Sequence, residues 1–185
     1  VIRDSIERHG FKYDSQEDFA RNVVNEIGCV KSDRLDVSGY DSTTMKPEDF
    51  RIVYGEYENF LRSRGKIDFD DMLVFTYELL SQRPDILRMW QNKFRYILVD
   101  EFQDINGIQY DTIKLMAGGD RNLFVVGDDD QSIYGFRGAA PSIMKRFPED
   151  FPGTIVEYLN VNYRCSYDIV ECSKRIISNN TQTTM

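Results

Sequence analysis

The run Phe94-Arg95-Tyr96-Ile97-Leu98-Val99-Asp100-Glu101-Phe102-Gln103-Asp104 changes character halfway along. Tyr96 to Val99 is too short and too rich in branched side chains for a buried helix, and reads as an inner strand. Two adjacent carboxylates, Asp100 and Glu101, then leave its carboxyl end, the side on which open parallel sheets bind ligands. Downstream the same apolar pattern returns in Asn122-Leu123-Phe124-Val125-Val126, a second inner strand, and in Thr154-Ile155-Val156-Glu157-Tyr158-Leu159, a third. Helices are expected between them over 105–116 and 141–147, and after them over 167–178. From about residue 92 the chain therefore reads as an α/β unit.

Upstream, residues 1–91 read as a helical part. Ser15-Gln16-Glu17-Asp18 has capping-box spacing, Phe19, Val23 and Ile27 follow at helical intervals, and Gly28 offers a stop. Residues 31–44, rich in Ser, Asp, Thr and Gly, are expected to form a surface loop. Pro47 suits a first helical turn, and Phe50, Tyr54, Tyr57 and Leu61 continue one face toward Gly65. Ile67-Asp68-Phe69-Asp70-Asp71 gathers carboxylates where they cap the next helix. Pro84 opens a short helix that carries Trp90. His9, the only histidine, reads as a surface residue at a helix end.

The 185 residues are 41% hydrophobic, enough to bury a core, and no apolar run approaches the roughly 20 residues a membrane span needs. Cys29, Cys165 and Cys172 form no CxxC pair, and an odd count suits a reducing, intracellular compartment. The net charge of −8 has the wrong sign for gripping phosphate backbones by bulk electrostatics. Weak or no DNA binding is expected of this acidic chain by itself. Any contact with single strands must come from a local groove of rings and a few cations.

Three polar clusters follow the strands. At Asp100-Glu101, one carboxylate can hold Mg²⁺ while its neighbour orients or deprotonates a water, but acidic residues also end strands simply by turning into solvent. Gly127-Asp128-Asp129-Asp130-Gln131 carries three consecutive carboxylates, which read as a solvated turn. Side chains of consecutive residues cannot all converge on one ion. Tyr134, Phe136 and Arg137 then mix rings with a guanidinium, suited to stacking single-stranded bases and equally to packing a core. Asn162-Tyr163-Arg164 closes the third strand, where a forked guanidinium can reach a phosphate.

In this order the clusters resemble motifs II, III and IV of the UvrD/Rep/PcrA helicases of superfamily 1A. Ile67 to Leu73 is similar to the stretch those proteins carry ahead of motif II, and the helical first part is similar to their subdomain 1B. The resemblance implies a RecA-like parallel sheet flanked by helices, incomplete because its P-loop strand is absent, preceded by an α-helical subdomain. It implies ATP and Mg²⁺ as cofactors and single-stranded and duplex DNA as partners, with 3′-to-5′ translocation. By the same resemblance Asp100 and Glu101 hold the metal and Glu101 is the general base. Gln131 senses the γ-phosphate, Tyr163 stacks on adenine, Arg164 contacts the γ-phosphate, and Tyr134, Phe136 and Arg137 line the DNA path. The family often has tryptophan where Phe136 stands, so stacking area is smaller here. The triple Asp before Gln131 is closer to UvrD and Rep than to the nuclease-linked RecB/AddA relatives. A cytoplasmic, nucleoid-associated role in bacterial DNA repair or replication is the matching expectation.

A P-loop of the form G-x-x-x-x-G-K-S/T is not found in the 185 residues. The only Gly-Lys pair, Gly65-Lys66, is followed by Ile67 and has Phe60 where the first glycine is required. Phosphoryl transfer needs several groups acting as a unit, so the chain is expected to lack ATPase activity alone although its parent protein has it. A sheet lacking a central strand also has an unpaired edge, an invitation to self-association. Two other classes compete: a non-catalytic DNA- or protein-binding module derived from a truncated helicase, and a metal-dependent nuclease using Asp100, Glu101 and the 128–130 run.

Overall fold

The computed structural model describes residues 1–11, 16–119, 122–132 and 142–179, the side chains of residues 16 and 17 excepted. The elements run α1 (Ile2–Arg8), α2 (Gln16–Ser32), α3 (Pro47–Ser63), α4 (Phe69–Gln82), α5 (Pro84–Lys93), β1 (Ile97–Val99), α6 (Gly107–Ala117), β2 (Leu123–Val125), α7 (Ser142–Asp150) and α8 (Tyr167–Ile177). Short 3-10 turns lie at Val37–Gly39, Phe102–Asp104 and Asp129–Gln131.

The apolar periodicity of the first part closes a core. Val23, Ile27 and Val30 of α2 meet Phe50 and Val53 of α3 and Ile2 and Ile6 of α1, with Tyr40, Tyr54 and Tyr57 packed at its rim. Pro47 occupies the first turn of α3, as its fixed φ favours. His9 caps the carboxyl end of α1 at the surface and meets Glu56 at 2.8 Å. The Ser15 capping box lies outside the described residues.

Two expectations for this part need correction. Gly28 does not end α2, which continues through it to Ser32. Its missing side chain instead admits α4, because a Cβ there would stand 2.9 Å from Asp70 Oδ2. Lys31 is accordingly no loop residue. It lies in the last turn of α2 with its side chain only 4% exposed, and Nζ is 2.7 Å from Asp68, 2.8 Å from Asp71 and 2.6 Å from Glu58. The approach to Glu58 is an ion pair without hydrogen-bond geometry, since Glu58 Oε1 has no hydrogen-bond partner. Asp68 and Asp71 together form the capping box of α4. The expected carboxylate cap is there, and it also serves as a counter-ion for a buried lysine.

In the second part, β1 and β2 form a two-stranded parallel sheet with Ile97 opposite Leu123, Leu98 opposite Phe124 and Val99 opposite Val125. Helix α6 is the crossover, capped by Asn106 and Gln109 in a reciprocal box. One sheet face, through Val99, Leu123 and Val125, packs on Phe102, Tyr110 of α6, and Ile143 and Phe147 of α7. The other face is open: Leu98 is 73% and Phe124 61% exposed, so neither strand is covered on both sides as an inner strand would be. Thr154 to Leu159, expected as a third strand, is in no sheet. With Ile155 and Leu159 almost fully exposed, the segment has, among the described residues, neither a ladder partner nor a layer to bury its alternate side chains. The helices expected over 141–147 and 167–178 are present as α7 and α8, with Pro141 outside the described residues. No described helix is long and apolar enough to cross a membrane.

Candidate active site

The ends of β1 and β2 are pinned to each other just where the polar clusters begin. Val126 N donates to Val99 O at 2.9 Å and Phe102 N to Val126 O at 3.0 Å. Between these bonds the chain reverses at Glu101, whose φ of 51° and ψ of 44° lie in the left-handed region. For a residue with a Cβ this conformation costs on the order of 1–2 kcal/mol. Two contacts hold it: Asp100 Oδ1 accepts from Glu101 N at 2.9 Å, and Asp104 N donates to Glu101 O at 2.9 Å. The turn leaves both Asp100 and Glu101 exposed at the carboxyl end of the sheet.

Behind them sits Gln103, 1% exposed. Its Nε2 donates to Glu101 Oε2 at 2.7 Å, and its Oε1 accepts from Asp128 N at 3.0 Å. The neighbouring position is glycine for a steric reason: a Cβ on Gly127 would lie 2.6 Å from Gln103 Oε1 and 3.1 Å from Phe102 N. Asp128 caps the 3-10 turn that follows, accepting from Asp130 N at 3.1 Å and from Gln131 Nε2 at 2.8 Å. Glu101 and Gln131, far apart in sequence, are thereby joined through Gln103 and Asp128. The sequence assigned Gln103 no role and Asp128 only a place in the carboxylate run of the nuclease reading; burial of the first and the backbone bond to the second are not encoded in any spacing.

The three aspartates do not form a cage. They fold as a capped turn, and burial, followed by the charges of Asp129 and Asp128, raises the carboxyl of Asp130 above the usual range. One oxygen each of Asp104 and Asp130 is buried without a hydrogen-bond partner among the described residues. Such an atom is costly to bury unless a donor or cation meets it, and a carboxylate oxygen is a ligand of the kind a hard cation takes. Among the described residues, the one group of three carboxylates close enough to share an ion is Glu58, Asp68 and Asp71. Lys31 already fills that group, which weighs against an all-protein metal cage of the kind the nuclease reading needs.

Tyr163 and Arg164 stand apart. Tyr163 is 93% exposed, and Asn162 Oδ1 turns the chain into α8 by accepting from Arg164 N and Cys165 N, each at 2.9 Å. No described hydrogen bond or ion pair joins either side chain to Asp100, Glu101 or Gln131. Tyr134, Phe136 and Arg137 lie outside the described residues.

Paired carboxylates after one strand of a parallel βαβ unit and a polar turn after the next lie on the side where open α/β sheets bind ligands. Residues 2–152 match the family model of the UvrD/REP helicase N-terminal domain, and the chain belongs to that family. It is 45% identical over 170 residues to the putative ATP-dependent DNA helicase YjcD of Bacillus subtilis, covering 90% of this chain and 22% of that protein. To the ATP-dependent DNA helicase Rep of Escherichia coli it is 43% identical over 162 residues, covering 86% of this chain and 24% of Rep. To the ATP-dependent DNA helicase PcrA of Staphylococcus aureus the figures are 37% over 161 residues, with 87% and 21% covered. The chain thus spans less than a quarter of the length of each of these relatives.

Proposed function

We propose that this chain supplies the catalytic carboxylates and the phosphate-sensing turn of an ATP-dependent DNA helicase, which couples hydrolysis to 3′-to-5′ movement on single strands and to duplex unwinding. The observation that carries the reading is the joining of Glu101 to the Asp128–Gln131 turn within a chain of this family. Residues 92–185 are the later part of a RecA-like motor domain and residues 1–91 a helical subdomain. Two separate cores support a division into two parts, with α4 packed against both α2 and α6 between them.

In this mechanism Glu101, presented on its left-handed turn, takes a proton from the water that attacks the γ-phosphate. Asp100, beside it, would hold Mg²⁺, whose charge would offset that of the phosphates. Gln131, on the turn capped by Asp128, reads the presence of the terminal phosphate. Tyr163 and Arg164, exposed and with no side-chain hydrogen bond or ion pair among the described residues, are available to adenine and γ-phosphate. Tyr134, Phe136 and Arg137 line the path of the single strand.

Steady-state ATP hydrolysis with single-stranded DNA tests this. The 185-residue chain by itself is expected to show no turnover, for want of the loop that cradles the phosphates. In a helicase that carries this chain together with such a loop, Glu101→Gln should lower kcat by about 10²–10⁴-fold. Undiminished turnover in that variant overturns the assignment of the base. Glu101-dependent turnover by the chain alone overturns the claim that it is idle.

A further inference from the structure

We propose that Gln103 is a positioning residue: one buried carboxamide that orients the Glu101 carboxylate and the Asp128–Gln131 turn together, so that a change at either is felt at the other. Glu101 and Gln131 themselves enter through the function proposed above; the link between them rests on geometry.

The argument begins with the direction of the carboxamide. A carboxylate only accepts and a backbone N–H only donates, so the Gln103 side chain fits its two partners in a single orientation, nitrogen toward Glu101 and oxygen toward Asp128. Rotating it by half a turn would oppose oxygen to carboxylate and N–H to N–H. Because Gln103 is buried, either group left unpaired would carry a desolvation cost, and water cannot readily replace the partner. The surroundings tighten the constraint. Gly127 comes so close that a Cβ there would stand 2.6 Å from Gln103 Oε1, and Ser132 Oγ donates to Gln103 O at 3.4 Å from the far end of the same turn. Asp128 then passes the register on, since its side chain holds both Asp130 N and Gln131 Nε2. A single side chain therefore spans the ends of both strands, and no second described hydrogen bond connects the Glu101 side chain to the turn.

Amide hydrogen exchange on the 185-residue chain, read by NMR at Asp128 with Val126 as internal reference, tests the link without nucleotide. Val126 N is held by the β1 carbonyl of Val99, so its protection reports that the strand ends remain paired. Gln103→Leu should lower protection at Asp128 about tenfold while sparing Val126. Glu101→Ala, at an exposed position that leaves folding intact, should also lower protection at Asp128, because the carboxamide loses the acceptor that fixes it. Glu101→Gln keeps a side-chain carbonyl to accept that bond and should preserve protection. Unchanged exchange at Asp128 in Glu101→Ala, or equal losses in Glu101→Ala and Glu101→Gln, would falsify the link. If Gln103→Leu also strips Val126 of protection, the two Glu101 variants decide alone. The expected exchange pattern combined with undiminished turnover in Glu101→Gln would retain the link and reject Glu101 as the base.

Discussion

Lys31 places one ammonium among three carboxylates, and the balance of its burial against their charge fixes the pH response of this region. Burial alone would lower its pKa, but hydrogen bonds to Asp68 and Asp71, the approach of Glu58 and the charge of Asp68 raise it above the ordinary lysine value. For Asp68, burial pushes upward and is outweighed by Lys31, the Asp71 backbone and Tyr57, which hold its carboxyl below the usual range. The stability from Lys31 is thus fully present below its unfolded value of about 10.4 and lost only as pH rises through the higher folded one. That from Asp68 is present above about pH 4 and lost as pH falls through its depressed folded value. Lys31→Met should cost about 3–5 kcal/mol at neutral pH by leaving the carboxylates uncompensated. In urea denaturation across pH that deficit should shrink toward about pH 4–5, because the orphaned carboxylates then take up protons more readily folded than unfolded. A deficit constant with pH would show that packing of the lysine stem, and not its charge, matters.

Two glycines separate what an element tolerates from what a site does. A Cβ at Gly28 meets the far end of the Asp70 side chain, which can move, and the helix gains propensity; Gly28→Ala should change stability by under about 1 kcal/mol. A Cβ at Gly127 meets Gln103 Oε1 and the backbone of Phe102, which cannot; Gly127→Ala should cost about 1–3 kcal/mol and loosen the Asp128 turn. Comparing the two urea midpoints checks both. At the sheet, Leu98 and Phe124 are register partners and lie side by side on the open face, with Tyr96 also exposed nearby in sequence. A two-stranded sheet with an apolar face and unpaired edges favours association with another chain. Sedimentation velocity should show concentration-dependent self-association of the chain, and the double variant Leu98→Lys, Phe124→Lys should be monomeric over the same range.

Among the described residues, the two cores are tied by few polar contacts. Arg34, in the left-handed conformation just after α2, pairs with Asp111 of α6 and lies over the Tyr77 ring of α4 at 4.3 Å. Asp111 and Asp150 in turn share Lys114, and Arg146 reaches Asp150, so a chain of alternating charges lines the cleft between α2 and the α6–α7 pair. Exposed pairs of this kind contribute little singly and are screened by salt. Arg34→Ala should cost about 1 kcal/mol, ring contact included, with the difference from wild type narrowing between low and high salt. A thermal denaturation series in NaCl measures it; a difference independent of salt would assign the effect to the ring alone.

The sequence by itself determined the order of elements, the carboxylate cap at Asp68–Asp71, the strand ending at Asp100-Glu101 and, through the motif order, the family. These are local signals: periodicity, capping chemistry and strand-end polarity act over a few residues and are written in neighbouring letters. Where it misled, the deciding contact came from elsewhere in the chain. Gly28 reads as a helix stop until Asp70 packs on it, Lys31 reads as a loop cation until three carboxylates close around it, and Thr154 to Leu159 reads as a strand although no neighbour pairs with it. Gln103 belongs with these. Only the tertiary structure shows it buried between Glu101 and Asp128, because a glutamine's role depends on which donor and acceptor the fold brings to its two ends.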